Sequence, residues 1–177
     1  MFSVTNSIPI RNSYWVNPEH FMAGEHPCKG SAYASRKKLR WLMDHKINFI
    51  VDLTEIGEAD TYYPQYIAET ESVSNSRITY QRFPIQDWSA PPPDKIIEIL
   101  DTLDRALAGG NNIYLHCYGG MGRTGMIVGC YLIRHGMPGN LALDKIREFR
   151  KGIPGEQKRS PETERQRKMV FEWIKGQ

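Results

Sequence analysis

Apolar and polar positions alternate along this chain in two ways, which predict strands and helices in turn. Short stretches rich in apolar, β-branched or aromatic residues predict five strands. They cover residues 13–16, 21–25, 48–55, 78–84 and 112–117. The stretch at 48–55 is apolar enough to be a buried strand, whereas the one at 78–84 alternates.

Helical spacing of apolar residues predicts five helices between and after these strands. Leu39, Leu42 and Met43 share one face of the first, and a second begins at "PPPD" and is closed by Gly109 and Gly110. The third, "GMIVGCYLIRH", is apolar on nearly every face and is therefore expected to be buried at the centre of the fold. The last two lie around residues 141–151 and 161–175.

Strands that alternate with helices indicate an α/β fold. We expect a central mixed, largely parallel sheet of about five strands, with helices on both faces. The sequence contains no internal repeat, low-complexity block or Gly/Ser linker. Residues 1–177 are therefore predicted to form a single domain, which is consistent with their number.

Composition narrows the function classes. Of the 177 residues, 40% are hydrophobic and 24% charged, and a net charge of +3 is too small to argue for nucleic acid. No signal peptide is visible, and the longest apolar run, "MIVGCYLI", is too short to cross a membrane. Three cysteines without regular spacing favour neither a disulfide framework nor a zinc site. We expect a cytoplasmic monomer without membrane or nucleic-acid partner, metal or cofactor.

The stretch "YLHCYGGMGRTGMIVGC" joins a predicted strand to the buried helix through a glycine-rich loop. Glycines allow successive backbone N–H groups to point inward and form a nest for an anion, next to the positive end of the helix. A nucleotide-binding P-loop would require Lys followed by Ser or Thr after its last glycine, and this loop has Arg123 and Thr124 instead. The candidate phosphate-binding residues are Tyr118, Gly119, Gly120, Met121, Gly122 and Arg123.

Two reactive side chains border this loop. Cys117 precedes it, and the surrounding positive features favour a thiolate, while Arg123 offers a bidentate fork that fits phosphate. Thr124 is placed to donate a hydrogen bond to the sulfur, and His116 to orient the loop. This combination predicts phosphoryl transfer through a covalent cysteinyl-phosphate.

The spacing of His116, Cys117, Arg123, Thr124 and Gly125 resembles the signature of the cysteine-dependent protein tyrosine phosphatase superfamily. The sequence "HCYGGMGRTG" is most similar to the dual-specificity branch, particularly to kinase-associated (cyclin-dependent-kinase-inhibitor-type) phosphatases. The resemblance extends from about residue 48 to 173. It implies a metal-independent protein phosphatase that acts on phosphotyrosine and on phosphoserine or phosphothreonine of a phosphoprotein or phosphopeptide.

The resemblance also implies a general acid on a mobile loop upstream of the cysteine. "FPIQDWSAPPP" carries Asp87 after a predicted strand, which matches that position. Asp52, at the end of a strand, is the second candidate for this role. Asp94 is better explained as a residue of a first helical turn.

Two further features stay open on the sequence alone. Gln166 occupies a position like that of a glutamine which some relatives bring towards the phosphate loop, or it is a solvent-facing helix residue. The basic residues Arg150, Lys151, Lys158 and Arg159 could meet an acidic substrate, but a solvated charge run is the favoured interpretation.

Three other functions compete with a protein phosphatase. Tyr118 and Met121 occupy loop positions where phosphoinositide phosphatases carry lysines, which weakens a lipid or small-phosphate substrate. A phospho-binding pseudophosphatase commonly lacks the cysteine or the acid, whereas Cys117 and Asp87 are both present. A sulfur transferase fits less well because Arg123 and Thr124 lead directly into a buried helix.

Overall fold

The computed structural model of this protein describes residues 8–59, 62–74 and 77–177. Five strands form one sheet: β1 (Ser13–Asn17), β2 (Phe21–Glu25), β3 (Phe49–Asp52), β4 (Thr79–Arg82) and β5 (Ile113–Cys117). They lie in the order β1-β2-β5-β3-β4, so that β5 is central. β2, β5, β3 and β4 are parallel, and β1 runs antiparallel to β2. The predicted mixed, largely parallel sheet is confirmed.

Helices cover both faces of this sheet, as predicted. They are α1 (Ala32–Asp44), α2 (Tyr63–Ser74), α3 (Pro93–Ala108), α4 (Gly122–Arg134), α5 (Gly139–Phe149) and α6 (Glu164–Glu172). Side chains alternate across each strand, so Met22, Ile50 and Tyr114 pack with α1 and α2, whereas their neighbours pack with α3 to α6. Among the helices of the described residues, none is both long and apolar enough to span a bilayer.

Helix α2 was not predicted from the sequence. Its buried residues Tyr63, Tyr66, Ile67 and Thr70 do follow helical spacing. Three of these four are Tyr or Thr, which have weak helix propensity and little apolar contrast with the rest of the segment. The final helix is shorter than the predicted 161–175, because Thr163 caps its N-terminus through a reciprocal capping box.

The register of the sheet determines where a ligand can bind. Glu25 pairs with Cys117 and Asp52 with His116, so β2, β3 and β5 end at the same edge. Helix α4 starts at this edge and is buried from Gly122 to Cys130, as its sequence predicted. In open α/β sheets the crevice beyond the carboxyl ends of the strands is the usual ligand site.

Stability should fall in acid because His26 is buried without charge. Its ring packs against Tyr63 and His116 with centroids 4.6 and 4.8 Å away, and its Nδ1 accepts the Cys28 N–H at 3.1 Å. Burial, then the neighbouring His116, lower the pKa of His26 to about 3. The unfolded chain takes up this proton near its ordinary pKa of 6.5, so the native state loses stability as the pH falls from there towards 3. At pH 4 the loss is on the order of 3 kcal/mol.

Urea unfolding at pH 7 and pH 4 tests this for the wild type and for His26→Gln. The variant is expected to lose less stability than the wild type between these pH values. His20→Gln, on the surface, is the matched control and should behave as the wild type does. Equal losses in the wild type and His26→Gln would contradict the assignment.

Candidate active site

Cys117 is the last residue of β5, and its side chain is only 2% exposed. Its sulfur accepts a hydrogen bond from the N–H of Gly120 at 3.3 Å. The glycine loop therefore folds back over the sulfur before α4 begins at Gly122. The backbone N–H groups and the dipole at this helix end can stabilise an anion bound above the sulfur.

Gly120 lets the loop lie directly against the end of β2. Its φ of +72° is in the left-handed region, and a Cβ there would overlap the backbone of Gly24 and Glu25. The neighbouring carbonyl of Tyr118 accepts the N–H of His26 at 3.1 Å. Any larger residue at position 120 would displace the loop from the sulfur.

Thr124 connects the start of α4 to two strands. Its hydroxyl accepts the Cys117 N–H at 2.8 Å and donates to the Gly24 carbonyl at 3.3 Å. The expectation that this hydroxyl donates to the sulfur is therefore corrected, because its proton is directed to β2. Thr124 instead fixes the backbone on which the sulfur is carried.

His116 orients the peptide that carries the cysteine. The ring is completely buried; its Nε2 accepts the hydroxyl of Tyr63 at 3.1 Å and its Nδ1 donates to the Cys117 carbonyl at 3.3 Å. Burial lowers the pKa of His116, although Asp52 opposes this effect. The ring is therefore neutral at neutral pH, in keeping with one donating and one accepting nitrogen.

Arg123, at the start of α4, is 1% exposed, and two acidic side chains hold it. Its Nη1 donates to Glu58 Oε2 at 2.6 Å and its Nη2 to the other oxygen of Glu58, while Asp87 Oδ1 lies 3.0 Å from Nη2. Burial alone would lower the pKa of Arg123, but the Glu58 hydrogen bond and the charges of Cys117 and Asp87 raise it above its ordinary value. Nε is buried and has no hydrogen-bond partner in the described part of the chain, which leaves a donor for a ligand.

The loop after β4 brings Asp87 to this arginine, as the sequence suggested. The Asp87 side chain is half exposed, and its backbone N–H donates to Glu55 Oε2 at 3.1 Å. The next residue, Trp88, is 64% exposed with a φ of +59°. A half-exposed carboxyl beside a buried arginine can reach a group bound over the sulfur.

Asp52, the second candidate acid, is fully buried, and both of its carboxylate oxygens accept hydrogen bonds. It accepts hydrogen bonds from the backbone and hydroxyl of Thr54, from the Tyr80 hydroxyl at 2.6 Å and from Arg82 at 3.0 Å. Burial would raise the pKa of Asp52, yet His116 and these hydrogen bonds lower it to about 2. Asp52 is therefore a structural anion, and its alternative role as the acid is excluded.

Gln166 lies against the phosphate loop rather than in solvent. A Cβ added to Gly122 would be 2.9 Å from Gln166 Oε1 and 2.7 Å from Glu162 Oε2. Gln166 Oε1 accepts the Thr163 N–H at 3.1 Å, and its Nε2 donates to the Ser89 carbonyl at 3.1 Å. This side chain thus ties α6 to the loop of Asp87.

Glu162 is a second carboxyl at the rim of the loop. It accepts the backbone N–H of Gly122, and burial, followed by the charge of Asp87, raises its pKa. Lys158 and Arg123 oppose this shift. The loop therefore offers one of its amides to a carboxyl of the protein itself.

Arg150 is the clearest departure from the sequence interpretation. It is 1% exposed, whereas Lys151, Lys158 and Arg159 are exposed, so a solvated role is wrong for Arg150 alone. Its Nη1 donates to the Gly120 carbonyl at 3.3 Å and its Nη2 to the Gly155 carbonyl at 3.0 Å. Within the described residues no carboxylate forms an ion pair with it. Burial lowers its pKa, and Tyr14, Glu162 and Cys117 oppose this.

The remaining residues of the phosphate loop are exposed or partly buried, and Cys130 lies in the helix that follows. Tyr118 is 44% exposed, with the Lys29 ammonium 4.9 Å from its ring centroid. The Met121 carbonyl accepts the Ser160 hydroxyl at 2.8 Å, and Gly119 is partly buried. Cys130 is buried in α4, as expected of a packed small apolar residue, and burial raises its pKa.

Glu58, Glu162 and the buried position of Arg150 were missed by sequence reasoning. Glu58 follows the end of β3, which could have indicated proximity to Cys117. However, Asp52 and Glu55 share that property, and nothing in the spacing selects one of the three. Arg150 and Glu162 reach the loop through tertiary packing, for which the local sequence has no signal.

Comparisons with known proteins identify the family. The model of the family described as "Polymorphic toxin system, DSP-PTPase phosphatase" matches residues 24–137. Human protein tyrosine phosphatase type IVA 3 is 30% identical over 138 residues, which cover 67% of this chain and 73% of the human protein.

Solved structures share the fold. Tk-PTP in its active form has a TM-score of 0.68 at 20% identity, covering 92% of this chain and 95% of that one. Kinase-associated phosphatase with serine in place of its catalytic cysteine has a TM-score of 0.64 at 23% identity, covering 78% and 74%. The chain therefore belongs to the cysteine-based protein tyrosine phosphatase superfamily, in its dual-specificity branch, and is an enzyme of the protein tyrosine/dual-specificity phosphatase class.

Proposed function

We propose that the chain hydrolyses phosphotyrosine, and phosphoserine or phosphothreonine, of phosphoproteins through a cysteinyl-phosphate, with Cys117 as nucleophile, Arg123 as phosphate clamp and Asp87 as general acid and base. One observation carries this proposal. A buried sulfur that accepts a loop N–H lies at a helix N-terminus, next to an arginine with an unused Nε donor. A nucleophile, anion donors and a neighbouring carboxyl are the parts that phosphoryl transfer requires.

In the first step, the Cys117 thiolate attacks phosphorus in line with the leaving oxygen. The S–P bond forms as the P–O bond breaks, and Arg123 with the loop N–H groups holds the three equatorial oxygens. Phosphoryl oxygens displace the Asp87 carboxylate from Arg123. The released carboxylate takes up a proton from solvent and then gives it to the leaving oxygen. Glu58 keeps the guanidinium in place while its partners change.

In the second step, water attacks the phosphocysteine and Asp87 takes its proton. The new P–O bond forms as the S–P bond breaks, which returns the thiolate and releases inorganic phosphate. The N–H of Gly120 stabilises the departing sulfur, a role supported by its 3.3 Å hydrogen bond to that sulfur. The Thr124 hydroxyl acts through the backbone of Cys117. The arginine and amides supply the positive charge that this chemistry needs, so no metal is proposed.

The uncharged side chains of Tyr118 and Met121 favour a protein substrate over a phosphoinositide. A lipid headgroup carries several phosphates on one ring, and these would require cations within the loop itself. The exposed rings of Tyr118 and Trp88 are suited to contact with a substrate surface instead.

Hydrolysis of p-nitrophenyl phosphate and of phosphotyrosine and phosphothreonine peptides, with chelator present, tests the residues. Cys117→Ser should lose activity because its hydroxyl is a far weaker nucleophile. Asp87→Ala should lower kcat for peptides by about 10²- to 10⁴-fold, and less for p-nitrophenyl phosphate, whose leaving group needs less protonation.

Asp94→Ala, which removes an exposed aspartate from α3, is the control and should retain wild-type rates. An inactive wild type that binds phosphopeptide would indicate a pseudophosphatase and overturn the proposal. Faster turnover of phosphoinositides than of any peptide would reassign the substrate. Full peptide activity in Asp87→Ala would show that another group is the acid.

Arg150→Met should slow catalysis, although Arg150 holds the phosphate loop and is not proposed to contact the substrate. Losing the bond to the Gly120 carbonyl frees the residue whose own N–H meets the sulfur, so kcat should fall about tenfold to a hundredfold. Alkylation of Cys117 by iodoacetamide at neutral pH should also slow.

Arg147→Met, from the exposed face of the same helix, is the matched control, since its partner is Asp144 at 2.8 Å. This variant should keep the wild-type kcat and the wild-type rate of Cys117 alkylation. If Arg150→Met, folded by circular dichroism, matched Arg147→Met in kcat and alkylation, Arg150 would have only a packing role.

A further inference from the structure

A second cavity, of about 470 Å³, opens beside the phosphate loop. Its lining carries four cations and one carboxylate, with a polar floor. The residues that matter here are Arg11, Lys29, Lys38, Lys158, Glu25 and Asn12. None of them belongs to the catalytic residues proposed above, and we refer to this cavity as the basic cleft.

The topology places the basic cleft at the edge of the sheet that carries Cys117. β1 runs antiparallel to β2, so the residues before β1 lie beside those after β2. Glu25, at the end of β2, is in register with Cys117. Lys29 reaches from the cleft to within 4.9 Å of the Tyr118 ring centroid. The cleft and the phosphate loop are therefore direct neighbours.

The cations of the basic cleft exceed its available negative charge. Glu25 is the one carboxylate among the described residues that line it, and it is 6% exposed. Its Oε2 already accepts from Lys29 at 3.1 Å and from Asn12 at 3.2 Å. Lys38 donates to the Lys29 carbonyl at 3.0 Å.

Arg11 and Lys158 are exposed on the two walls of the cleft. Lys158 also interacts with the charge of Glu162 at the loop rim. The whole chain carries a net charge of only +3, so this local excess is a concentrated positive field at the mouth of the site.

We propose that the basic cleft binds an acidic side chain of the peptide whose phosphorylated residue occupies the phosphate loop. This inference rests on the proposed function and specifies its substrate class further. The acidic group is a carboxylate or a second phosphorylated residue near the first in sequence. Its negative charge offsets the cations that Glu25 alone does not neutralise, above all the exposed Arg11 and Lys158.

The location of the cations favours a peptide over a polyphosphorylated lipid headgroup. The cations lie outside the loop, beyond the ring of Tyr118, whereas the loop positions themselves are uncharged. An extended peptide advances about 3.3 to 3.6 Å per residue, so a side chain one or a few residues away can reach beyond that ring.

Two phosphotyrosine peptides that differ only in Glu or Gln at the flanking positions test the proposal. At low salt, the wild type should show about tenfold higher kcat/KM for the Glu peptide. Arg11→Glu/Lys158→Glu should abolish or reverse this preference and leave p-nitrophenyl phosphate hydrolysis unchanged. Arg11→Gln/Lys158→Gln should reduce it partly. Salt should weaken the wild-type preference, because the charges are exposed.

Lys37→Glu/Lys175→Glu makes the same change in net charge at two other exposed positions and should keep the preference. An equal loss of the preference in this control would show that it depends on the net charge of the protein and not on the cleft. A preference that survives in Arg11→Glu/Lys158→Glu would overturn the proposal, and so would loss of p-nitrophenyl phosphate hydrolysis in both cleft variants. A defect confined to phosphoinositide hydrolysis would assign the cleft to lipid. A wild type inactive on p-nitrophenyl phosphate would instead refute the proposed function.

Discussion

The burial of two guanidinium groups beside one thiol is the constraint on which the rest of this structure depends. Removing a charge from water costs several kcal/mol unless the protein supplies partners. Arg123 receives carboxylates from Glu58 and Asp87, which follow two different strands, whereas Arg150 receives only backbone carbonyls. The order of the strands must therefore be correct before either arginine can be buried. Arg123 keeps an unused Nε donor and Arg150 has no carboxylate partner among the described residues, so both can act on an anion bound at the loop.

The chain beyond α5 braces the site that earlier segments build. Arg150 holds the Gly120 carbonyl, the Ser160 hydroxyl donates to the Met121 carbonyl, and Gln166 donates to the Ser89 carbonyl. Two of these bonds fix the phosphate loop and the third fixes the loop of Asp87. The proposed nucleophile and the proposed acid therefore share one support, although 30 positions separate them in sequence. Such shared support is how a scaffold keeps reacting groups in register.

Local sequence patterns predicted most of the elements. Contacts that depend on tertiary packing could not be predicted from them. The five strands, the buried α4 and the loop between Cys117 and Arg123 follow from apolar periodicity and glycine spacing. Asp87 was proposed as the acid because the family resemblance implies an acid upstream of the cysteine, and Asp87 lies there between a strand and a proline-rich helix start. Glu58 was not, since three carboxyl residues follow β3 and only the folded chain selects the one that meets Arg123. Arg150 looked like any basic residue near a helix end, because its burial depends on contacts with Gly120 and Gly155.

Glu25 belongs to two regions at once. Its backbone lies directly against Gly120, while its carboxylate forms the floor of the basic cleft with Lys29 and Asn12. Anything that rearranges this carboxylate also changes the free energy of the loop above the thiol. Thermodynamic linkage then requires the reverse effect to be equally large. A phosphate over Cys117 and an acidic group in the cleft are therefore coupled through Glu25, and the affinity of a whole substrate is not simply the sum over its separate fragments.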